Sequence, residues 1–590
     1  MALGESTILN HPRLRKYRAL VRQDLATTYS RDLHEWLVIA PILGVVTGLV
    51  ITLVAVVILR WIWPPVFAFY LGHRLAMIPG IAAGFIVAGL IMQYLTPDPN
   101  EHSTEEVIKS YHEHQGNIQM RPFVPKMLAA VATVGFGGSS ALEGPSIYAG
   151  GAMGSWLWSK FHFFRREPRN RRIMLISGAA AGMAAVFRAP LTGIIFALEM
   201  PYKDDLAHEA LLPSLIASVV SYSTLAAFLG AGPVFDFDAS GTFAGKDLLW
   251  SAVLGAAIGL VAMTFDITFR RTRSFVVGLS MPHWVKMAIG GALTGLCGLV
   301  FVSIFHSSLV PIGSNYEAVP EILLHPHGSI ELVAFGFFKL LATLFSVGAG
   351  GVSAMFVPLF LTGGSFGAAF AQSIVHTPAI DLYAAVGMAS FIAGAYKAPL
   401  TAVVFVAEAT GGHSYIVPAL IGAAVAYAVS GEASVSGDQR LHEALQVADL
   451  WNVPVREVMQ TDVISAKSSA NLREFAETVR AHHLHAAYPV YGEDGRLVGV
   501  IATRALSTVP AEEWGRVTVG ELADREVSRV VPDSGVTEAM RLLTTKPGQH
   551  MLLVTSSASA DGELKGILTE ADILGALKGE DGSVGTAKRH

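Results

Sequence analysis

The sequence predicts an α-helical membrane protein built as an inverted repeat of broken helices, with a soluble α/β segment behind it. Three observations carry this. Of the 590 residues, 52% are hydrophobic and 15% charged, a balance too apolar for an ordinary soluble enzyme. Between residues 122 and 429 the apolar runs are often short and broken by Gly, Pro or Ser. At membrane depth such breaks are tolerated only where the loose backbone is buried or lines a watery cavity. Finally, three blocks of this region recur further along it in the same order.

The opening segment, residues 1–33, is polar and basic, with Arg13, Arg15, Lys16, Arg18, Arg22 and Arg31. It lacks the short apolar core of a signal peptide and reads as a cytoplasmic segment suited to an amphipathic helix at the membrane surface. Residues 36–63 and 77–95 read as spanning helices, and 96–121 as a polar break. Basic clusters at Arg165, Arg166, Arg169, Arg171 and Arg172, and at Arg270, Arg271 and Arg273, mark cytoplasmic loops. The net charge of −5 gives no reason to invoke nucleic acid. The single cysteine, Cys297, allows no intramolecular disulfide and argues against a structural cysteine–zinc site.

The repeat is the strongest organising signal. Gly137-Gly138-Ser139-Ser140-Ala141-Leu142-Glu143-Gly144-Pro145 returns as Gly350-Gly351-Val352-Ser353-Ala354-Met355-Phe356-Val357-Pro358. Phe187-Arg188-Ala189-Pro190-Leu191-Thr192 returns as Tyr396-Lys397-Ala398-Pro399-Leu400-Thr401, each continuing to an acid, Glu199 and Glu408. Pro213-Ser214-Leu215-Ile216 returns as Pro418-Ala419-Leu420-Ile421. The counterpart of the first basic loop, residues 369–384, has no Lys or Arg, so the second half is inverted relative to the first. The helix starts at Pro145 and Pro358 then approach one point from opposite sides, and two positive helix ends facing one place select an anion. Glu143 stands at one of those starts. Its carboxylate is suited to the anion's seat, leaving it when displaced or protonated, and an ionisable group inside a membrane points to function.

Together these motifs resemble the CLC chloride channel and transporter family over residues 34–447, with repeat halves at about 122–230 and 335–430. The resemblance implies a homodimer with one anion pathway per subunit and identifies Glu143 with the family's gating glutamate, although Ala141 and Leu142 replace the usual Gly and Arg. It implies anion-binding amides at Gly144, Met355, Phe356 and Val357. Two further positions depart from the pattern. His102 stands where the family has a glycine-rich anion loop, and either donates to the anion or fills polar space. Ser436 stands nearest the inner-gate tyrosine and would leave that mouth wider, unless Tyr427 serves from another position. Met200 replaces an acid used by proton-coupled members; Glu199 before it is either a proton-path residue or a structural one.

Beyond a linker at 448–452, the chain resembles a pair of CBS domains at 453–510 and 517–580, ending in a tail at 581–590. In the second, Thr569 and Asp572 match positions that hold a nucleotide's phosphate and ribose; in the first, Ala502 and Ala505 do not. The pair either binds an adenine nucleotide at one site or serves as a scaffold without a ligand; no other cofactor is expected.

The expected function is chloride transport across the cell membrane through a glutamate-gated path, with voltage or pH as gating stimulus and the N-terminus and CBS pair cytoplasmic. Met200 and Ser436 favour a passive channel; the alternative is a proton-coupled antiporter. A CBS-regulated cation transporter would display convergent intramembrane acids, and an intramembrane hydrolase a nucleophile with its base or a His-Glu-x-x-His metal site. The sequence offers neither, so no enzymatic activity is expected. The partners implied are a small anion, the bilayer and a second copy of the chain.

Overall fold

The computed structural model describes residues 30–100, 103–160, 168–232, 234–235, 242–316, 318–325, 327–410, 414–440, 453–481, 485, 487–545, 551–557 and 562–573. The N-terminal basic residues before Ser30, His102, Arg165, Arg166, the linker and the tail lie outside these. Two compact units emerge, Met1–Leu441 and His442–His590.

In the first unit, α1 (Ser30–Val56) runs through a π-helical stretch (Val57–Ile62) into α2 (Trp63–Gly72), followed by α3 (Met77–Leu95), α4 (Ser103–Glu113) and α5 (Phe123–Gly135). The first repeat continues with α6 (Glu143–Lys160), α7 (Pro168–Phe187), α8 (Pro190–Glu199) and α9 (Leu211–Leu229). Then come α10 (Gly245–Gly278), α11 (His283–Phe305), α12 (Ala318–Leu324) and α13 (Ser329–Gly348). The second repeat is α14 (Phe356–Phe370), α15 (Ile380–Tyr396), α16 (Pro399–Thr410) and α17 (Ile416–Val429).

Among the described residues, six helical stretches are long and apolar enough to cross a membrane: Glu35–Gly72, Arg74–Leu95, His208–Leu229, Gly245–Gly278, His283–Phe305 and Ser329–Gly348. They carry exposed apolar side chains such as Leu53, Leu249 and Ile330, as a lipid-facing surface requires. The shorter helices α6, α14 and α15 are almost wholly buried, which is where interrupted helices are tolerated.

The polar break at 96–121 is corrected by the structure: it contains α4. That helix buries Val107, Ile108 and Tyr111 on one face, and its Glu106 makes a buried ion pair with Lys126 of α5. Three apolar residues at helical spacing are enough to seat a short amphipathic helix whose other residues are polar.

The repeat is matched in backbone geometry. Gly137 and Gly350 take φ 103° and 104°, and Arg188 and Lys397 take φ 50° and 59°. Pairs of helices cross at glycine in both halves. A Cβ on Gly150 of α6 would lie 1.9 Å from the Gly178 carbonyl oxygen of α7, and one on Gly363 of α14 would lie 2.2 Å from that of Gly387 in α15. Small residues let the two backbones touch, the arrangement that holds helices together where no hydrophobic drive separates helix from lipid.

The second unit holds two three-stranded sheets of one topology. In the first, β1 (Ala466–Lys467) pairs parallel with β2 (Ala487–Tyr491), which pairs antiparallel with β3 (Leu497–Ala502). In the second, β4 (Arg529–Val530) pairs parallel with β5 (Met551–Thr555), which pairs antiparallel with β6 (Leu564–Thr569). Each sheet buries a small apolar core, one around Phe475, Tyr488 and Ile501 and the other around Leu543, Leu552 and Leu568. A third cluster of Ala487, Val500, Met551 and Leu553 joins the two sheets.

Candidate anion-binding site

The two repeat loops meet directly. Ala141 N–H donates to the Ala354 carbonyl at 2.9 Å, and Ala354 N–H donates to the Ala141 carbonyl at 3.0 Å. This two-bond bridge between equivalent residues brings the starts of α6 and α14 together. Gly144 is part of the close approach, since a Cβ there would lie 3.0 Å from the Ala354 Cβ.

Glu143, the first residue of α6, is 1% exposed. Its Oε1 accepts a hydrogen bond of 2.6 Å from Phe356 N–H, so the carboxylate of one repeat covers an amide at the helix start of the other. A helix start offers unpaired amides and a positive dipole end, both suited to negative charge. The neighbouring amide is covered too: Met355 N–H donates to the Tyr396 hydroxyl at 3.3 Å. Val357 follows, fully buried. The Phe356 ring is packed among Phe187, Phe196, Tyr396 and Phe405, with centroids 5.0 to 5.7 Å apart, which excludes water from one side of the helix start.

Beside Met355 lies a cavity of about 30 Å³ whose lining includes Thr104, Glu105, Ser353, Met355, Tyr396 and Ser436, room for about one water-sized particle. Glu105 is held by Arg273 at 2.5 and 2.6 Å.

Of the residues singled out in the sequence, Glu143, Gly144, Met355, Phe356 and Ser436 gather here, whereas His102 lies outside the described residues. Ser436 lines the cavity, and so does Tyr396. Tyr427 is elsewhere, its hydroxyl on the Lys203 carbonyl at 3.1 Å and on the Asp204 carboxylate. Tyr396 went unnoticed in the sequence. One signal pointed to it: where the first repeat has Phe187 before Arg188, the second has Tyr396 before Lys397, the same ring with a hydroxyl added.

Glu199 and Glu408 form a reciprocal pair of caps. Glu199 accepts from Leu400 N–H (3.1 Å), Thr401 N–H (2.9 Å) and the Thr401 hydroxyl (2.5 Å). Glu408 accepts from Leu191 N–H (3.0 Å), Thr192 N–H (2.7 Å) and the Thr192 hydroxyl (2.7 Å). Each repeat thus caps the Ala-Pro-Leu-Thr helix of the other. Met200, next to Glu199, is buried.

In the second unit, Thr569 and Asp572 bond to each other. Asp572 Oδ2 accepts from Thr569 N–H (2.8 Å) and the Thr569 hydroxyl (2.6 Å), while Gln460 Nε2 donates to Asp572 Oδ1 at 2.9 Å. This is a capping box at the start of a helical turn.

Residues 83–431 match the family described as voltage gated chloride channel, and residues 455–511 and 519–579 each match the CBS domain. The chain is 28% identical over 394 residues to an uncharacterized protein of Methanocaldococcus jannaschii, covering 67% of this chain and 92% of that one. It is 28% identical over 375 residues to the H(+)/Cl(-) exchange transporter ClcA of Yersinia pestis, covering 61% and 73%. Among solved structures, a CLC-type fluoride/proton antiporter is similar with a TM-score of 0.61 at 22% identity, covering 70% of this chain and 100% of that one. A eukaryotic CLC transporter is similar at 0.57 and 18%, covering 92% and 98%; at these identities the likeness is one of fold. With the family matching more than half of the chain, this multi-pass membrane protein belongs to the voltage gated chloride channel family and carries two CBS domains behind its membrane unit.

Proposed function

We propose that the chain transports chloride, with Glu143 as the gate of the path. The observation that carries this reading is the Glu143 carboxylate on Phe356 N–H. A carboxylate seated on an amide at a helix start stands in for the anion that the same amide would hold. When the side chain is protonated or displaced, the amide is open to chloride. A cation path is disfavoured by the same geometry, because the groups that converge are N–H donors rather than oxygens.

Proton-coupled exchange is the form of transport that we favour. The passive reading rests on Met200 in place of an acid and on the small side chain of Ser436, and the larger Tyr396 lines the same cavity as Ser436. Relatives such as ClcA are named as exchangers. Passive conduction is the second reading, supported by Met200, a side chain that cannot carry a proton. The protein works as a homodimer with the N-terminus and the CBS pair cytoplasmic. The test is paired chloride and proton flux in liposomes carrying the full chain. Exchange drives protons uphill under a chloride gradient and loses this in Glu143→Ala; a reversal potential at the chloride equilibrium value would establish the passive pathway.

A further inference from the structure

A cleft is formed where the loop after α4 meets the end of α6 and the start of α7. It measures about 300 Å³, the low end of the usual range for ligand sites, and its lining includes Asn117, Gln119, Arg121, Ser155, Trp156 and Arg171. Ser155 lies twelve residues beyond Glu143 on α6, roughly 18 Å along the helix, so this is not the anion site. The buried Ser155 hydroxyl oxygen accepts from Arg171 Nε at 3.0 Å and from Ile118 N–H at 3.4 Å, and the Asn117 side-chain oxygen accepts from Arg171 Nη2. The Arg171 guanidinium also lies 5.1 Å from the centre of the Trp158 ring. Gly116 lets the loop close on the start of α7. Its φ is 74°, its N–H donates to the Ser110 carbonyl at 2.8 Å, and a Cβ there would lie 2.7 Å from Arg172 N.

The lining holds two arginines and no carboxylate. Among the described residues, Arg171 is held by neutral oxygens and a ring, and Arg121 is exposed without an ion pair. Two uncompensated charges beside one cleft attract an anion, and they outweigh the roughly half negative charge at the end of α6. Shape and surroundings narrow the kind of anion. A guanidinium fork matches the oxygens of a phosphate, and Arg171 is already ordered, so less freedom is lost on binding. Apolar surface adjoins the charges. Trp156 lines the cleft while 42% exposed, and Val124 and Leu128, one turn apart on α5 just beyond Arg121, are exposed as well.

We propose that this cleft binds the phosphate of an anionic phospholipid, with the headgroup on Arg121 and Arg171 and the acyl chains along Trp156, Val124 and Leu128. The proposal goes beyond the transport reading and does not depend on it. A bound lipid ties the loop after α4 to the ends of α6 and α7 and stabilises the folded chain by mass action. Inorganic phosphate offers the arginines the same oxygens but leaves the apolar surface uncovered, so the two sources of phosphate differ in how tightly they bind.

The experiment follows the thermal midpoint of the full chain, stripped of lipid in a neutral detergent, as phosphatidylglycerol, phosphatidylcholine or sodium phosphate is added. Phosphatidylglycerol should raise the midpoint at a mole fraction about tenfold below that needed of phosphatidylcholine, whose positive headgroup the arginines repel. Millimolar phosphate should leave the midpoint unchanged. Arg121→Gln, which breaks no ion pair, should keep the lipid-free midpoint and need about tenfold more phosphatidylglycerol for the same shift, the loss of one charged hydrogen bond. Arg171→Lys, which keeps the charge and loses the fork, should weaken the response as well. Arg271→Gln removes an exposed arginine of the other basic cluster and should respond as the wild type does. Equal shifts with the two lipids, no shift with any of the three additions, or the same loss of response in Arg271→Gln as in Arg121→Gln would overturn the site. A shift with phosphate as large as that with phosphatidylglycerol would overturn the lipid as its occupant.

Discussion

Glu143 Oε1 and Phe356 N–H are 2.6 Å apart, so the acid that begins a helix in one repeat is seated on the amide that begins the equivalent helix in the other. Glu143→Gln preserves the shape and removes the charge-assisted bond, and Glu143→Ala removes the plug. Both should raise chloride efflux from liposomes, by about tenfold if the lost bond is worth ~1.4 kcal/mol, and flatten its dependence on pH. Wild-type efflux and pH response in both variants would rule out the gate.

Glu199 holds three donors at the start of α16. Glu199→Ala leaves buried donors without an acceptor and should destabilise the protein by about 1–3 kcal/mol, seen as a lower thermal midpoint in detergent. Glu199→Gln keeps one acceptor oxygen and separates capping from proton relay. With capping as its whole task, uphill proton movement in liposomes survives this substitution; loss of proton movement from a variant of wild-type stability would assign Glu199 to the proton path.

The glycine crossings should tolerate no side chain. In Gly150→Val the new Cβ would meet the Gly178 carbonyl oxygen at 1.9 Å, a clash that neither backbone can relieve without parting α6 from α7. Size-exclusion chromatography should show aggregate or no protein. Gly245→Ala meets nothing within 4 Å and should elute as the wild type does, with stability changed by less than about 0.5 kcal/mol.

Calorimetry on the full chain should detect an adenine nucleotide at the second CBS domain if Thr569 and Asp572 hold one. The capping box must then open toward the ligand, and Asp572→Ala should abolish binding while also costing about 1 kcal/mol of local stability. Thr569→Ser, which keeps the hydroxyl, should retain the fold and most of the binding. Absence of heat at millimolar nucleotide would leave the pair with a scaffold role.

Much of this protein was legible in its sequence because the information is local or repeated. Apolar runs broken by glycine and proline imply buried, interrupted helices; the block around Glu143 returning around Phe356 implies two equivalent helix starts; the change of texture behind Gly431 implies a second unit. What tertiary structure alone decided are the contacts between those copies. That Glu143 lies on Phe356, that Glu199 caps Thr401, and that Gln439 reaches Met200 are contacts over more than 200 residues of chain, set by how the helices pack. The sequence singled out Ser436 by its order in the chain, but Tyr396 lines the same cavity, because packing brings the end of α15 beside Met355, whose N–H donates to the Tyr396 hydroxyl. Helix α4 was missed for a related reason: its three buried apolar residues are too few to stand out among polar neighbours, and only the surface they pack against makes them a helix face.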